Sequence, residues 1–282
     1  VVNVPNIFHF EYASKALKAG KHVILEKPAT ITSAELITLI AQSKESGLKL
    51  TVFQNRRWDG DFLTVQKLAQ SGILGKIVEF EAHYDRFRNY IEENTWKEEE
   101  GPGSGIVYNL GTHMIDQAYV LFGKPQSVFA DLRILRPKGK VFDHYDISLD
   151  YGDFKVSLKA GYLVKEPPFR YLIHGTKGSF IKNGTDPQEQ ALKDGLIPGS
   201  KDWGKETENF WGKLNSEING MHIEGKIETL PGNYSEFYRQ FAHAIRNDSS
   251  LPVNPKDCVE VLEIIEKAYE SHASGKKIRM ED

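Results

Sequence analysis

Residues 20–54 read GKHVILEKPATITSAELITLIAQSKESGLKLTVFQ, and the change of pattern along them decides the fold. HVILE is a short apolar run, the mark of a buried strand. Ser33–Ser46 reads as a helix that Gly47 stops, and LKLTVFQ as a further strand. Strand, helix and strand at this spacing imply a parallel sheet with right-handed crossovers. Toward the N-terminus, HFEYASKALKAGK is an amphipathic helix ending near Gly20, and Val1–Val4 a strand that begins without a polar lead-in. Three strands are few for an independent doubly wound domain. Residues 1–54 are therefore expected to be the second half of a dinucleotide-binding Rossmann domain.

From Asn55 the style changes. Asp59–Ser71 suggests a helix capped by Asp59 or Asp61, KIVEFEAHYDRFR alternates as a long strand, and Asn109–Phe122 is helical. SVFADLRIL, HYDISLDY, FKVSLKAGYL, FRYLIHG and GSFIKNG follow as strands with short turns, so their sheet should be mainly antiparallel. Residues 184–222 read as a long excursion with a short helix. Tyr234–Asn247 and Pro255–Ser274 close the chain as helices, the last stopped by Gly275. The expected fold class is α/β: a partial Rossmann domain at 1–54, then a large α+β domain at 55–282 with an open, mainly antiparallel sheet.

Composition narrows the function. A net charge of −3 over 282 residues gives no basic field for nucleic acid, and no stretch approaches the roughly 20 apolar residues that span a bilayer. The single cysteine, Cys258, cannot form an internal disulfide, and no metal-type spacing of cysteines or histidines is present. A reducing, cytoplasmic compartment fits best, with no metal.

Open α/β sheets hold ligands at the carboxyl ends of their strands. Pro5-Asn6, Glu26-Lys27-Pro28 and Asn55 all fall there, and His9 begins the next helix. Pro28 forces Lys27 into an extended conformation and permits a cis bond, which would fix the direction of the lysine. Read alone, the E-K-P triplet suits a solvated strand end followed by a turn. In the second domain Asn109, His113 and Asp116 are spaced to share one helix face, and His113 has the pKa range of a general acid or base. That spacing equally suits a helix cap, a core histidine and its partner. Arg56 and Arg57 could bind phosphate or hold the two domains together. Strand alternation puts Tyr84 and Arg86 on one face, opposite Asp85.

Together PNIFH, AGKHVILEKP, NRRWDGDF, SGILGKIV, GTHMIDQAYVLFGKP and PVNPKDCVEVLEIIEKAYES resemble the Gfo/Idh/MocA family of nicotinamide-dependent sugar and polyol oxidoreductases, in family order over essentially the whole chain. YDRFR, RYLIHGTKGSFIK and the tryptophan-bearing excursion look most like NADP-dependent scyllo-inositol dehydrogenases. The resemblance implies that Lys27 binds the reacting hydroxyl and that His113 is the catalytic histidine, with Asn109 beside them. It implies a nicotinamide ribose surrounded by Pro5, Asn6, His9, Glu26 and Asn55, and Trp96-Lys97 as an aromatic–basic pair near the cofactor. Tyr84 and Arg86 would face the polyol. The implied cofactor is NAD or NADP, with NADP favoured, the substrate a small polyol or sugar, and the assembly a dimer or tetramer through the open sheet face.

Two departures stand out. Position 109 usually holds aspartate in the family, and Asn109 cannot ionise. The glycine-rich G-x-G-x-x-G turn that holds the pyrophosphate is not found, so the chain is expected to be N-terminally truncated and to bind cofactor weakly. Asn109 keeps alternatives open: a non-catalytic sensor of sugar and nucleotide, or an NAD-dependent lyase or glycosidase of the same fold.

Overall fold

The computed structural model describes residues 1–280. Its N-terminal part packs helix α1 (His9–Lys18) and helix α2 (Ser33–Glu45) around two parallel strands, β1 (Val23–Leu25) and β2 (Leu50–Val52). Both strands are buried along their whole length, as a continuous apolar run requires. Helix α2 is fixed at its start by a capping box, in which Thr32 and Glu35 bond each other's backbone N–H. Val1–Val4 does not form the expected strand. Only Val2 pairs with Leu25, in the parallel sense, through Val2 N–H to Ile24 O at 2.8 Å.

Helix α3 (Gly60–Gln70) follows, then a sheet of nine strands. These are β3 (Ile77–His83), β4 (Ser127–Arg133), β5 (His144–Asp150), β6 (Lys155–Gly161), β7 (Tyr171–Gly175), β8 (Gly178–Lys182), β9 (Gly212–Ile218), β10 (Met221–Ile227) and β11 (Ile278–Arg279), in the order β10-β9-β8-β7-β3-β6-β5-β4-β11. The β3–β6 pair is parallel and the remaining pairs are antiparallel. One face carries Phe80, Ala82, Ile147, Leu149, Val156, Leu158 and Ile173, all buried. It packs on α4 (Thr112–Phe122) and α7 (Pro255–Ser274), while the short α5 (Gln188–Lys193) bonds Arg56 through Glu189 and α6 (Ser235–Asn247) packs on the Asn55–Trp58 turn after β2. The other face, with Glu81, Phe129, Asp131, Asp146, Lys159 and Ile181, is open or half-open. This is the expected α/β class with a mainly antiparallel second sheet.

Three further details differ from expectation. The excursion at 184–222 does hold a short helix, α5, but from Gly212 onward it is a hairpin of two seven-residue strands. Its turn, Asn219-Gly220, takes positive φ at both residues (53° and 77°), the geometry that favours Asn-Gly. The strand from Lys76 stops at His83. Tyr84–Arg88 continue as a ribbon bonded to the end of β6 and beyond, through Tyr84 N–H to Lys159 O, Arg86 N–H to Gly161 O and Arg88 N–H to Tyr162 O. The helix expected from Asn109 begins instead as a wide π turn, Val107–Gly111, before α4.

Candidate active site

The carboxyl ends of β1 and β2 open into a cavity of about 760 Å³. Its far wall is built by the π turn, the start of α4 and the Tyr84–Arg88 ribbon. Lys27 extends from the end of β1, and the Lys27–Pro28 peptide is cis. Its Nζ donates to the Asn109 main-chain oxygen at 2.7 Å and lies 3.4 Å from Asn109 Oδ1. Asn109 Nδ2 in turn donates to the Tyr162 hydroxyl at 3.2 Å. Asn109 sits within the π turn, a departure from regular helix of the kind that recurs at functional sites. Burial, then the nearby charge of Arg56, brings the Lys27 ammonium down to about 7.

His113 is buried in the same wall, and its Nδ1 has no hydrogen-bond partner. Burial, followed by the charges of Lys27 and Arg56, pushes the imidazole well below its ordinary range. It is therefore neutral near pH 7. A neutral amine has two N–H donors and one lone pair. Both donors of Lys27 can be occupied by Asn109, which leaves the lone pair for a proton from the cavity.

The structure brings most of the expected residues to this one cavity. Pro5, Asn6, His9, Glu26 and Asn55 line it from the strand-end side. Asn6 donates to Gly103 O at 2.9 Å, and a Cβ on Gly103, whose φ is +73°, would meet Ile31 Cδ1 at 2.2 Å. The His9 ring nitrogens face the carbonyls of Pro28 (2.7 Å) and Val4 (2.9 Å), so this histidine shapes the wall with its polar atoms already engaged. Burial raises the Glu26 carboxyl above its usual range. Trp96 and Lys97 sit on a short 3₁₀ turn at the rim, with the Lys97 ammonium 6.0 Å from the indole centroid.

Tyr84 is a correction. It does not line the cavity but lies buried behind it, its ring covered by Arg56, Arg86 and Arg170 at 4.8, 5.4 and 4.4 Å. Arg86 does face the cavity. Asp116 turns away from His113 and takes both forks of Arg57, at 2.8 and 2.7 Å, while Arg57 also reaches Asp257 at 3.2 Å. Arg57 is thus a strut between the end of β2, α4 and α7. Arg56 bonds Asp59 and Glu189. Asp59 does not cap α3 with its side chain, because Arg56 and the Tyr234 hydroxyl hold it; Asp186 takes the Gly60 N–H instead. Arg88 and Tyr162, which sequence reasoning passed over, also line the cavity. Arg88 had a signal in the same alternation that placed Arg86, two residues earlier.

The residues present fit the reactive end of a nicotinamide dinucleotide. The wall offers amides at Asn6 and Asn55, a carboxylate at Glu26 and an unpartnered buried nitrogen at His113. No group of three or more His, Cys, Asp or Glu suited to a metal occurs among the described residues, and no described helix is long and apolar enough to cross a membrane.

Comparison with known proteins agrees. Residues 1–54 match "Oxidoreductase family, NAD-binding Rossmann fold", and residues 66–280 match "Oxidoreductase family, C-terminal alpha/beta domain". The chain is 41% identical to the uncharacterized oxidoreductase YdgJ of Escherichia coli, covering 96% of this chain and 78% of that protein. It is 40% identical to the scyllo-inositol 2-dehydrogenase (NADP(+)) IolW of Bacillus subtilis, covering 100% and 78%. A crystal structure of an oxidoreductase from Bacillus cereus superposes with a TM-score of 0.91 at 37% identity, over 99% of this chain and 79% of that one. A Rossmann-like sheet ending in E-K-P, a lysine and a histidine meeting in one cavity, and matches along both parts of the chain lead to one conclusion: this is an oxidoreductase of the Gfo/Idh/MocA family, with NAD(P) as its cofactor.

Proposed function

We propose that the protein transfers a hydride between a secondary alcohol of a cyclic polyol or sugar, inositol-like in shape, and NAD(P), with NADP favoured. The observation that carries this reading is the lysine of depressed pKa bonded to Asn109 in the cavity that also holds His113. When bound, the nicotinamide supplies the hydride acceptor or donor. The protein handles the proton: in oxidation, the free lone pair of Lys27 Nζ takes the hydroxyl proton while His113 helps to hold and relay it. Asn109 aims the amine. In this reading residues 1–54 hold the nicotinamide end, with Asn6, His9, Glu26, Asn55 and Trp96-Lys97 around it. Residues 55–282 bind substrate and pair copies through the open sheet face, in a cytoplasmic setting. Asn109 is the one feature that favours a second reading, a non-catalytic sensor, since it removes a charge from the proton-transfer group.

The test follows nicotinamide absorbance with NAD+ or NADP+ against inositol isomers and aldoses. It uses the 282-residue chain and the same chain preceded by a glycine-turn β–α unit, with Lys27→Met as control. Polyol-dependent reduction that falls by about three or more powers of ten in Lys27→Met supports the dehydrogenase. Cofactor binding without reduction of either cofactor by any polyol moves the sensor ahead.

A further inference from the structure

The arginines around the cavity divide into two kinds. Arg56, Arg57, Arg136 and Arg170 each approach carboxylates. Arg86 and Arg88 have no carboxylate partner among the described residues, yet both are half-buried in the cavity wall. Each guanidinium instead lies over an aromatic face, Arg86 5.4 Å from the Tyr84 centroid and Arg88 5.8 Å from that of Tyr162. Their backbones are pinned by bonds to Gly161 O and Tyr162 O, and Val164 N–H returns to Arg86 O. The two cations are therefore presented from a fixed ribbon rather than a free loop.

Three of the four carboxylates that line the cavity are engaged elsewhere. Glu98 belongs to Arg136, Glu189 to Arg56 and Lys193, and Glu26 adjoins Lys27 at the opposite wall. Glu92 is exposed at the rim. Two half-buried guanidiniums without a carboxylate partner leave their charge and their N–H forks available to an anionic ligand. Their planar forks match carboxylate and phosphate oxygens in a way that neutral hydroxyls cannot equal.

The pair is also tied to the reacting end. The Tyr162 ring beneath Arg88 carries the hydroxyl that accepts from Asn109, and Asn109 holds Lys27. The field of Arg86 reaches both Lys27 and His113, as one of the cations that lower them.

We propose that Arg86 and Arg88 form an oxyanion subsite, and that the polyol or sugar this cavity takes carries a carboxylate or a phosphate ester. The proposal rests on the dehydrogenase reading above and adds the charge of the substrate to it. A ligand bound there would place its anionic group on the ribbon and one of its carbinol carbons beside Lys27.

Calorimetry on the 282-residue chain tests it with glucuronate, galacturonate and glucose 6-phosphate against glucose and scyllo-inositol, with inorganic phosphate and NADP+ as separate arms. The proteins are wild type, Arg86→Gln/Arg88→Gln, and Arg86→Lys as a charge-keeping variant; circular dichroism checks their folding. At least one anionic sugar should bind about tenfold or more tighter than its neutral counterpart, and the preference should shrink with salt. It should vanish in the double variant and persist in part in Arg86→Lys, with NADP+ affinity changed less than about threefold. Equal binding of neutral and anionic sugars, or a preference that survives the double variant, overturns the subsite and leaves the dehydrogenase reading standing. Loss of NADP+ affinity in place of sugar affinity also overturns it, assigning the arginines to cofactor phosphate. The cofactor-reduction assay separately judges the parent reading: arginine-dependent anion binding with no sugar oxidised would remove the substrate claim along with it.

Discussion

At the scale of single residues, Lys27 sets the chemistry. Its proton leaves near pH 7 in the folded protein, against 10.5 for an ordinary lysine. Between those values the unfolded chain binds the extra proton, so the stability penalty from Lys27 is full below about pH 7 and fades as pH rises toward 10.5. Lys27→Met should therefore stabilise the protein by about 2 kcal/mol near pH 6 and by much less near pH 10, measured as a pH-dependent gain in Tm. Asn109→Asp tests the other partner. A carboxylate in place of Oδ1, now 3.4 Å from Nζ, should raise the lysine by about 1–2 pH units. The acid limb of the kcat/KM profile should move alkaline by the same amount; an unmoved limb would mean that Lys27 is not the titrating base. Lys27, Asn109 and His113 were legible as residue types at telling positions. The bond from Nζ to the Asn109 main-chain oxygen was not, because it is a main-chain contact from within a π turn that helical spacing does not reveal. Tyr84 misled for a related reason: alternation fixes a face, but not whether arginines will cover it.

Elements were legible where one pattern ran long enough. The strands β1 and β2, both buried, and helix α7, opened by Asn254 and Pro255 and closed by Gly275, follow from local signals. The β9–β10 hairpin was missed although Asn219-Gly220 announces it, because nearly every residue of β10 is exposed and no core face stands out. The ends of β2, α4 and α7 are joined by Arg57 with Asp116 and Asp257. Arg57→Ala strands Asp116, whose carboxyl is buried, and should cost about 3 kcal/mol in unfolding free energy, measured by urea titration. A cost below about 1 kcal/mol would reduce the strut to a bystander.

Across the whole molecule, the cavity forms where the carboxyl edge of a small parallel sheet meets the helical side of a large antiparallel one. That placement was readable from chain order, since ligand edges of α/β sheets are predictable. Which side chains cross between the two parts was not. The open sheet face carries half-exposed Leu172 and exposed Phe129 and Ile181 among charged residues, and we expect it to pair copies of the chain. Sedimentation should show a dimer or tetramer, and Leu172→Glu should shift it toward monomer while leaving the secondary structure intact. A wild-type monomer at micromolar concentration would remove that expectation.

The central claim is that Lys27 is a neutral-poised amine able to take a proton in the cavity. A carbon-13 NMR titration of lysine Cε, assigned by Lys27→Met, tests it without reference to any substrate. One lysine signal should titrate near pH 7 and disappear in the variant. If Lys27 titrates with the bulk lysines above pH 10, the proton-transfer account is wrong.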